Sequence, residues 1–129
     1  MMGTRIAVIE DETVTRESLV ELLMAAGYRS EGFSNAHLFL GAFYDGRSFD
    51  LCVVDINLPG LRGDQMLLEV ARTRNTREMT VLLLSGLDEE ELRRAHTLLS
   101  NHFARVYSLS KPVEAESLLQ EVETLLSSA

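Results

Sequence analysis

Leu51-Cys52-Val53-Val54-Asp55 is an apolar run that ends in a carboxylate. Four apolar residues in succession read as a strand covered on both faces, because a strand with one wet face would alternate with polar residues. Ile6-Ala7-Val8-Ile9 upstream and Val81-Leu82-Leu83-Leu84 downstream repeat the pattern. Arg29 to Phe33 is a more polar strand candidate, as an edge strand would be, and Val106 to Ser110 is half polar. Helical spacing fills the intervals. Leu19, Val20, Leu23 and Ala26 recur at that spacing before Gly27. Leu38, Ala42 and Phe43 follow, with Ser34 or Asn35 available as a cap and an end by Gly46. Pro59-Gly60 and Gly63 force a loop before Leu67, Leu68 and Ala71. Asp88 with Glu91 resembles a capping box ahead of Leu92, Ala95, Leu98 and Leu99. Leu118, Val122, Leu125 and Leu126 mark the last helix. The order is βαβαβαβαβα. Strict alternation predicts right-handed crossovers, a mainly parallel sheet and helices on both faces: an α/β fold.

Length and composition agree with one domain over residues 1–129. Twelve Lys and Arg against twenty Asp and Glu give a net charge of −8, which argues against direct nucleic-acid binding by this domain. The longest apolar runs fall far short of the roughly 20 residues a bilayer-spanning helix needs, so no membrane span is expected. The single cysteine, Cys52, lies inside an apolar run and reads as a buried small hydrophobe. With no charged-then-apolar export signal at the N-terminus, a cytoplasmic setting is expected.

Parallel strands put all their C-terminal ends on one edge, where ligands of such folds bind. The first strand ends in Glu10-Asp11-Glu12, the third in Asp55, the fourth in Ser85-Gly86 and the fifth in Ser110-Lys111-Pro112. Each alone is an ordinary cap or turn signal; together they gather carboxylates, a hydroxyl and an ammonium on one rim. Asp55 emerges directly from a buried strand, where a carboxylate is expensive unless a cation or donors compensate it. Glu10 and Asp11 add like charge, a combination that a divalent ion neutralises. Mg²⁺ suits one or two carboxylates plus waters and phosphate oxygens, whereas zinc or copper would call for His or Cys. With Mg²⁺ present, a carboxylate can attack phosphorus and form an acyl phosphate, while an ammonium and a hydroxyl stabilise the phosphoryl oxygens.

These residues resemble the receiver domains of two-component response regulators, over essentially the whole chain. The acidic pair matches Glu10 and Asp11. The phosphoacceptor matches Asp55 within Asp55-Ile56-Asn57-Leu58-Pro59-Gly60-Leu61-Arg62-Gly63, where Pro59 and Gly63 fall at the family's positions. The hydroxyl residue matches Ser85, and the lysine matches Lys111, followed by Pro112. The resemblance implies a flavodoxin-like three-layer fold with a five-stranded parallel sheet in order 2-1-3-4-5. It implies phosphorylation of Asp55 by a histidine kinase or phosphotransfer protein. It also implies Mg²⁺ held through Asp11, Asp55 and the backbone carbonyl of Asn57, with Glu10 acting through water. The module would catalyse its own phosphorylation and slow dephosphorylation without being a turnover enzyme. Its output is expected elsewhere, in a downstream protein or a fused output domain, with a phosphorylation-linked homodimer as a further option.

Two features depart from the family. The segment from Ser85 to Lys111 is longer than usual. Ser108 stands where a switch aromatic is expected, with Tyr107 one place earlier. Without a bulge, Ser108 shares a strand face with Val106 and Ser110, and Tyr107 lies on the other. Coupling to output is then expected through the lengthened segment. Three rivals are weighed. A flavin-binding flavodoxin would want a glycine- and hydroxyl-rich loop where Glu10-Asp11-Glu12 stands. A dehalogenase-type phosphatase would want an Asp where Asn57 stands. A pseudo-receiver that binds partners without phosphorylation remains the serious alternative. His37, His96 and His102 are read as surface residues, and Glu89 with Arg93 and Glu90 with Arg94 as i,i+4 pairs on a solvated helix.

Overall fold

A computed structural model describes residues 3–86 and 88–127. Its elements run β1 (Arg5–Ile9), α1 (Thr13–Ala25), β2 (Arg29–Phe33), α2 (Ala36–Tyr44), β3 (Leu51–Asp55), α3 (Gly63–Thr73), β4 (Thr80–Ser85), α4 (Glu89–Ser100), β5 (Arg105–Ser110) and α5 (Ala115–Ser127). The five strands form one parallel sheet in the order β2-β1-β3-β4-β5. This is the flavodoxin-like order expected from the resemblance. Every residue of β3 and β4 is buried, whereas β2 and β5, at the two edges, carry the polar sequences. No described helix is long and apolar enough to cross a membrane.

Alternation along the strands splits the core into two layers. Ala7, Ile9, Cys52, Val54, Val81 and Leu83 pack against Phe39, Met66, Val70 and Leu99, which come from α2, α3 and α4. Ile6, Val8, Leu51, Val53, Leu82 and Leu84 pack against Leu19, Leu23, Leu118 and Val122 from α1 and α5. Each Val, Leu, Ile, Phe or Met among them, fully buried, contributes on the order of 2 kcal/mol of transfer free energy. Cys52 is completely buried among them, and burial pushes its thiol up to about 12, so it behaves as a hydrophobe.

Local signals set the boundaries. Gly27 and Gly46 take positive φ after α1 and α2. Asn35 caps α2 by accepting from the Leu38 amide at 2.9 Å, and Asp88 caps α4 by accepting from the Glu91 amide at 2.9 Å. Three expected core positions are corrected, the first being Ala26, which is exposed just past the end of α1. Leu38 and Leu98 are exposed, because Phe39 and Leu99, one residue later, hold the inward faces of α2 and α4. Of the two ion pairs expected on α4, Glu90 with Arg94 forms at 3.3 Å. His37 and His102 are exposed and His96 is half-buried.

The lengthened segment before β5 is built into the core rather than left loose. Phe103 is buried, the Ala104 amide donates to the Met79 carbonyl at 2.9 Å, and the buried Thr76 hydroxyl donates to the His102 carbonyl at 2.5 Å.

Among the glycines, Gly63 is the most closely packed. A Cβ there would lie 2.3 Å from the Asp55 carbonyl oxygen and 2.6 Å from Val54 Cγ1. Gly63→Ala is therefore expected to lower unfolding free energy by about 1–3 kcal/mol, as overpacking against backbone does. Gly41 lies inside α2 with nothing within 4 Å of an added Cβ, so Gly41→Ala should gain up to about 1 kcal/mol of helix propensity. Urea unfolding of both variants checks the contrast, and equal effects of the same sign would contradict it.

Candidate functional site

The C-terminal rim of the sheet holds the polar residues that the core excludes. Glu10 follows β1, and its amide donates to the Phe33 carbonyl at 3.0 Å, which keeps the chain in register with β2 for one more residue. Its side chain is 1% exposed. Oε2 accepts from the Glu12 amide at 3.2 Å. Asp55, 2% exposed, ends β3, and its Oδ1 accepts from the Asn57 amide at 3.0 Å, closing a tight side-chain turn. Ser85 ends β4 and is also buried. The Lys111 amide donates to the Ser85 carbonyl at 3.0 Å, extending the β4–β5 ladder and setting Lys111 beside the pocket.

Lys111 is the only lysine in the sequence, and its ammonium bridges two carboxylates. Nζ lies 3.0 Å from Asp55 Oδ2, to which it donates a hydrogen bond, and 3.0 Å from Glu10 Oε1. The second contact is an ion pair, and the ammonium 3.0 Å away is the partner of the buried Glu10 Oε1. Burial pushes the Glu10 carboxyl above its ordinary value, with Asp55 adding to the rise. The Glu12 amide and Lys111 only partly offset it. Burial alone would lower the Lys111 ammonium, but its hydrogen bonds and charge contacts with Asp55 and Glu10 outweigh that and raise it.

Carboxylate oxygens of Glu10, Asp11 and Asp55 lie within 4.8 Å of one another, with Asp11 on the exposed side. One ammonium cannot neutralise three carboxylates. An all-oxygen set of three carboxylates facing one ammonium fits a hard divalent cation such as Mg²⁺. Asn57 lies in the exposed turn after Asp55.

The rim therefore brings together Glu10, Asp11, Asp55, Ser85 and Lys111. The two switch candidates lie apart from it. The β4–β5 register is unbroken from Thr80 opposite Arg105 to Ser85 opposite Ser110, with no bulge. Ser108, opposite Leu83, is half-buried on the face that Val106 shares with α2, α3 and α4. Tyr107 is on the opposite face, that of Leu109 and α5, and is 43% exposed. Sequence reading passed over Arg16, whose guanidinium donates to the Glu10 carbonyl at 2.9 Å. Its signal was indirect: Gly32, a strand glycine, marks a close approach by another group.

A family profile described as the response regulator receiver domain matches residues 6–123. The chain is 30% identical over 124 residues to the transcriptional regulatory protein FixJ of Bradyrhizobium diazoefficiens, covering 96% of this chain and 57% of that protein. It is 32% identical over 123 residues to the transcriptional regulatory protein PcoR of Escherichia coli, covering 95% and 51%. It thus spans about half the length of the curated relatives it matches. The chemotaxis protein CheY4 of Vibrio cholerae shares the fold, with a TM-score of 0.83 at 20% identity over 95% of this chain and 98% of that one. The chain belongs to the response regulator receiver domain family, the phospho-accepting signalling modules of two-component systems.

Proposed function

We propose that residues 1–129 form one receiver unit in which Asp55 accepts a phosphoryl group in a Mg²⁺-dependent reaction. The observation that carries this reading is the cluster of Glu10, Asp11 and Asp55 carboxylates within 4.8 Å of one another, with the Lys111 ammonium bridging the buried Glu10 and Asp55. An Asp55 oxygen attacks phosphorus, forming an O–P bond. The bond from phosphorus to the leaving imidazole nitrogen of a phosphohistidine breaks, and its electron pair leaves with that nitrogen. Water reverses the state slowly, breaking the O–P bond to release inorganic phosphate and restore the carboxylate. Asp11, Asp55 and the Asn57 carbonyl would hold Mg²⁺ directly and Glu10 through a water. The ion supplies charge neutralisation for the phosphoryl oxygens. Lys111 exchanges its Asp55 contact for a phosphoryl oxygen, and the Ser85 hydroxyl donates to another.

The donor is a histidine kinase or phosphotransfer protein in the cytoplasm. Relatives about twice as long and named as transcriptional regulators support an output carried by a fused domain or a downstream protein. Within this domain the change cannot be read by a ring packing beside Ser85 at position 108, where the side chain is a serine. The lengthened segment between Ser85 and Val106, which carries α4, transmits it instead.

Intact-mass analysis after incubation with acetyl phosphate and Mg²⁺ tests the acceptor. The wild type should gain one phosphoryl group, and Asp55→Asn, or the wild type with the metal chelated, should gain none. Equal incorporation in wild type and Asp55→Asn would move the acceptor elsewhere. No incorporation in any sample, with small donors or a kinase, would favour a pseudo-receiver.

The raised Glu10 carboxyl gives a second test, without metal. The folded state holds the Glu10 proton more tightly than the unfolded state does. This group's contribution is therefore full below its ordinary value of 4.5 and is lost as pH rises through the folded value. Glu10→Gln removes that loss. In chelator, the urea midpoint of Glu10→Gln should gain on wild type as pH rises from 4.5 toward neutrality. A gap that closes or reverses over that range contradicts the assignment.

A further inference from the structure

Arg16 lies on the first turns of α1, yet its side chain runs back over β2 and ends on the loop that carries the acidic residues. Its stem crosses Gly32: a Cβ on that glycine would meet Arg16 Cγ at 3.0 Å, Arg16 Cδ at 3.1 Å and Val20 Cγ2 at 3.2 Å. One guanidinium nitrogen donates to the Glu10 carbonyl at 2.9 Å and reaches the Asp11 carbonyl at 3.4 Å, and the other reaches Thr13 Oγ1 at 3.5 Å. One guanidinium nitrogen thus bridges consecutive carbonyls of the β1–α1 loop, while the other turns to the Thr13 hydroxyl and holds the plane in place. Holding both carbonyls restricts the backbone torsions from which the Glu10 and Asp11 side chains leave the loop, and both carboxylates meet Asp55, within 4.8 Å of one another.

We propose that Arg16, seated over Gly32, is a positioning residue that clamps the Glu10 and Asp11 carbonyls and so aims both carboxylates into the pocket. This extends the Mg²⁺-dependent reading above and rests on it for the metal, but the clamp itself exists without metal. The Glu12 amide, which donates to Glu10 Oε2 at 3.2 Å, reports it directly. Removing Arg16 lets the loop relax and weakens that bond. Groups that orient metal ligands are typically worth 10-fold or more in affinity.

Two measurements on Arg16→Ala, Arg16→Lys and Gly32→Ala decide the matter. The first is amide hydrogen exchange of the metal-free protein, followed at Glu12 and, as a control, at the core strand residues Val53 and Leu82. The second is Mg²⁺ affinity by calorimetry. Arg16→Ala should speed Glu12 exchange with the core amides unchanged and weaken Mg²⁺ roughly tenfold. Gly32→Ala, which displaces the stem while keeping the guanidinium, should shift both in the same direction. Arg16→Lys should fall between Arg16→Ala and wild type, since one of the donors is kept. Unchanged Glu12 exchange in Arg16→Ala overturns the clamp, and so does core exchange that accelerates equally, since that marks general destabilisation. A wild type that binds no Mg²⁺ at all would overturn the metal reading instead, while the Glu12 exchange still decides the clamp.

Discussion

Glu10 and Asp55 are carboxylates almost removed from water, and the Lys111 ammonium lies 3.0 Å from each. A buried charge without a partner costs several kcal/mol, so neither acid could stay ionised at the end of its strand without that bridge or a cation in its place. The bridge also depends on the sheet. Lys111 reaches the pocket because its amide continues the β4–β5 ladder through the Ser85 carbonyl. Asp55 holds its place because Gly63 lets α3 start against its carbonyl. The core fixes the strands, the strands fix the rim, and the rim holds more negative charge than one lysine can neutralise.

That surplus is what makes the site chemical rather than structural. A fully satisfied buried ion pair would be a stable but inert feature. Here one ammonium is shared between Glu10 and Asp55, and Asp11 adds a third carboxylate on the open side. Phosphoryl transfer needs positive charge gathered around the transferring group and a carboxylate free to attack. A pocket short of positive charge is poised to recruit it from a divalent ion.

Most of this was legible in the sequence because the signals were local. Continuous apolar runs gave β1, β3 and β4, since a strand buried on both faces cannot alternate. The residues immediately after those runs gave the rim, since parallel strands share an edge. Strand order needed the family resemblance, because βα alternation alone does not say which strands are neighbours. The misplaced residues failed for a related reason. Leu38 and Leu98 sit one position from Phe39 and Leu99, and helical spacing tolerates such a slip until tertiary packing chooses the face. Arg16 was illegible because its partners are backbone carbonyls across a loop and its space comes from a glycine on another strand. The face of Tyr107 depended on whether β5 carried a bulge, and the unbroken register with β4 supplies the answer.

Because Lys111 is the only lysine, selective ¹³C-lysine labelling yields a single side-chain Cε signal that needs no assignment. Its pH titration in the metal-free protein tests the bridge most directly. The structure predicts a midpoint above the ordinary lysine value of 10.5 that falls in both Asp55→Asn and Glu10→Gln, because each substitution removes one of the two negative partners. A wild-type midpoint at or below 10.5, or one that neither substitution moves, would contradict the bridge on which the account of the site is built.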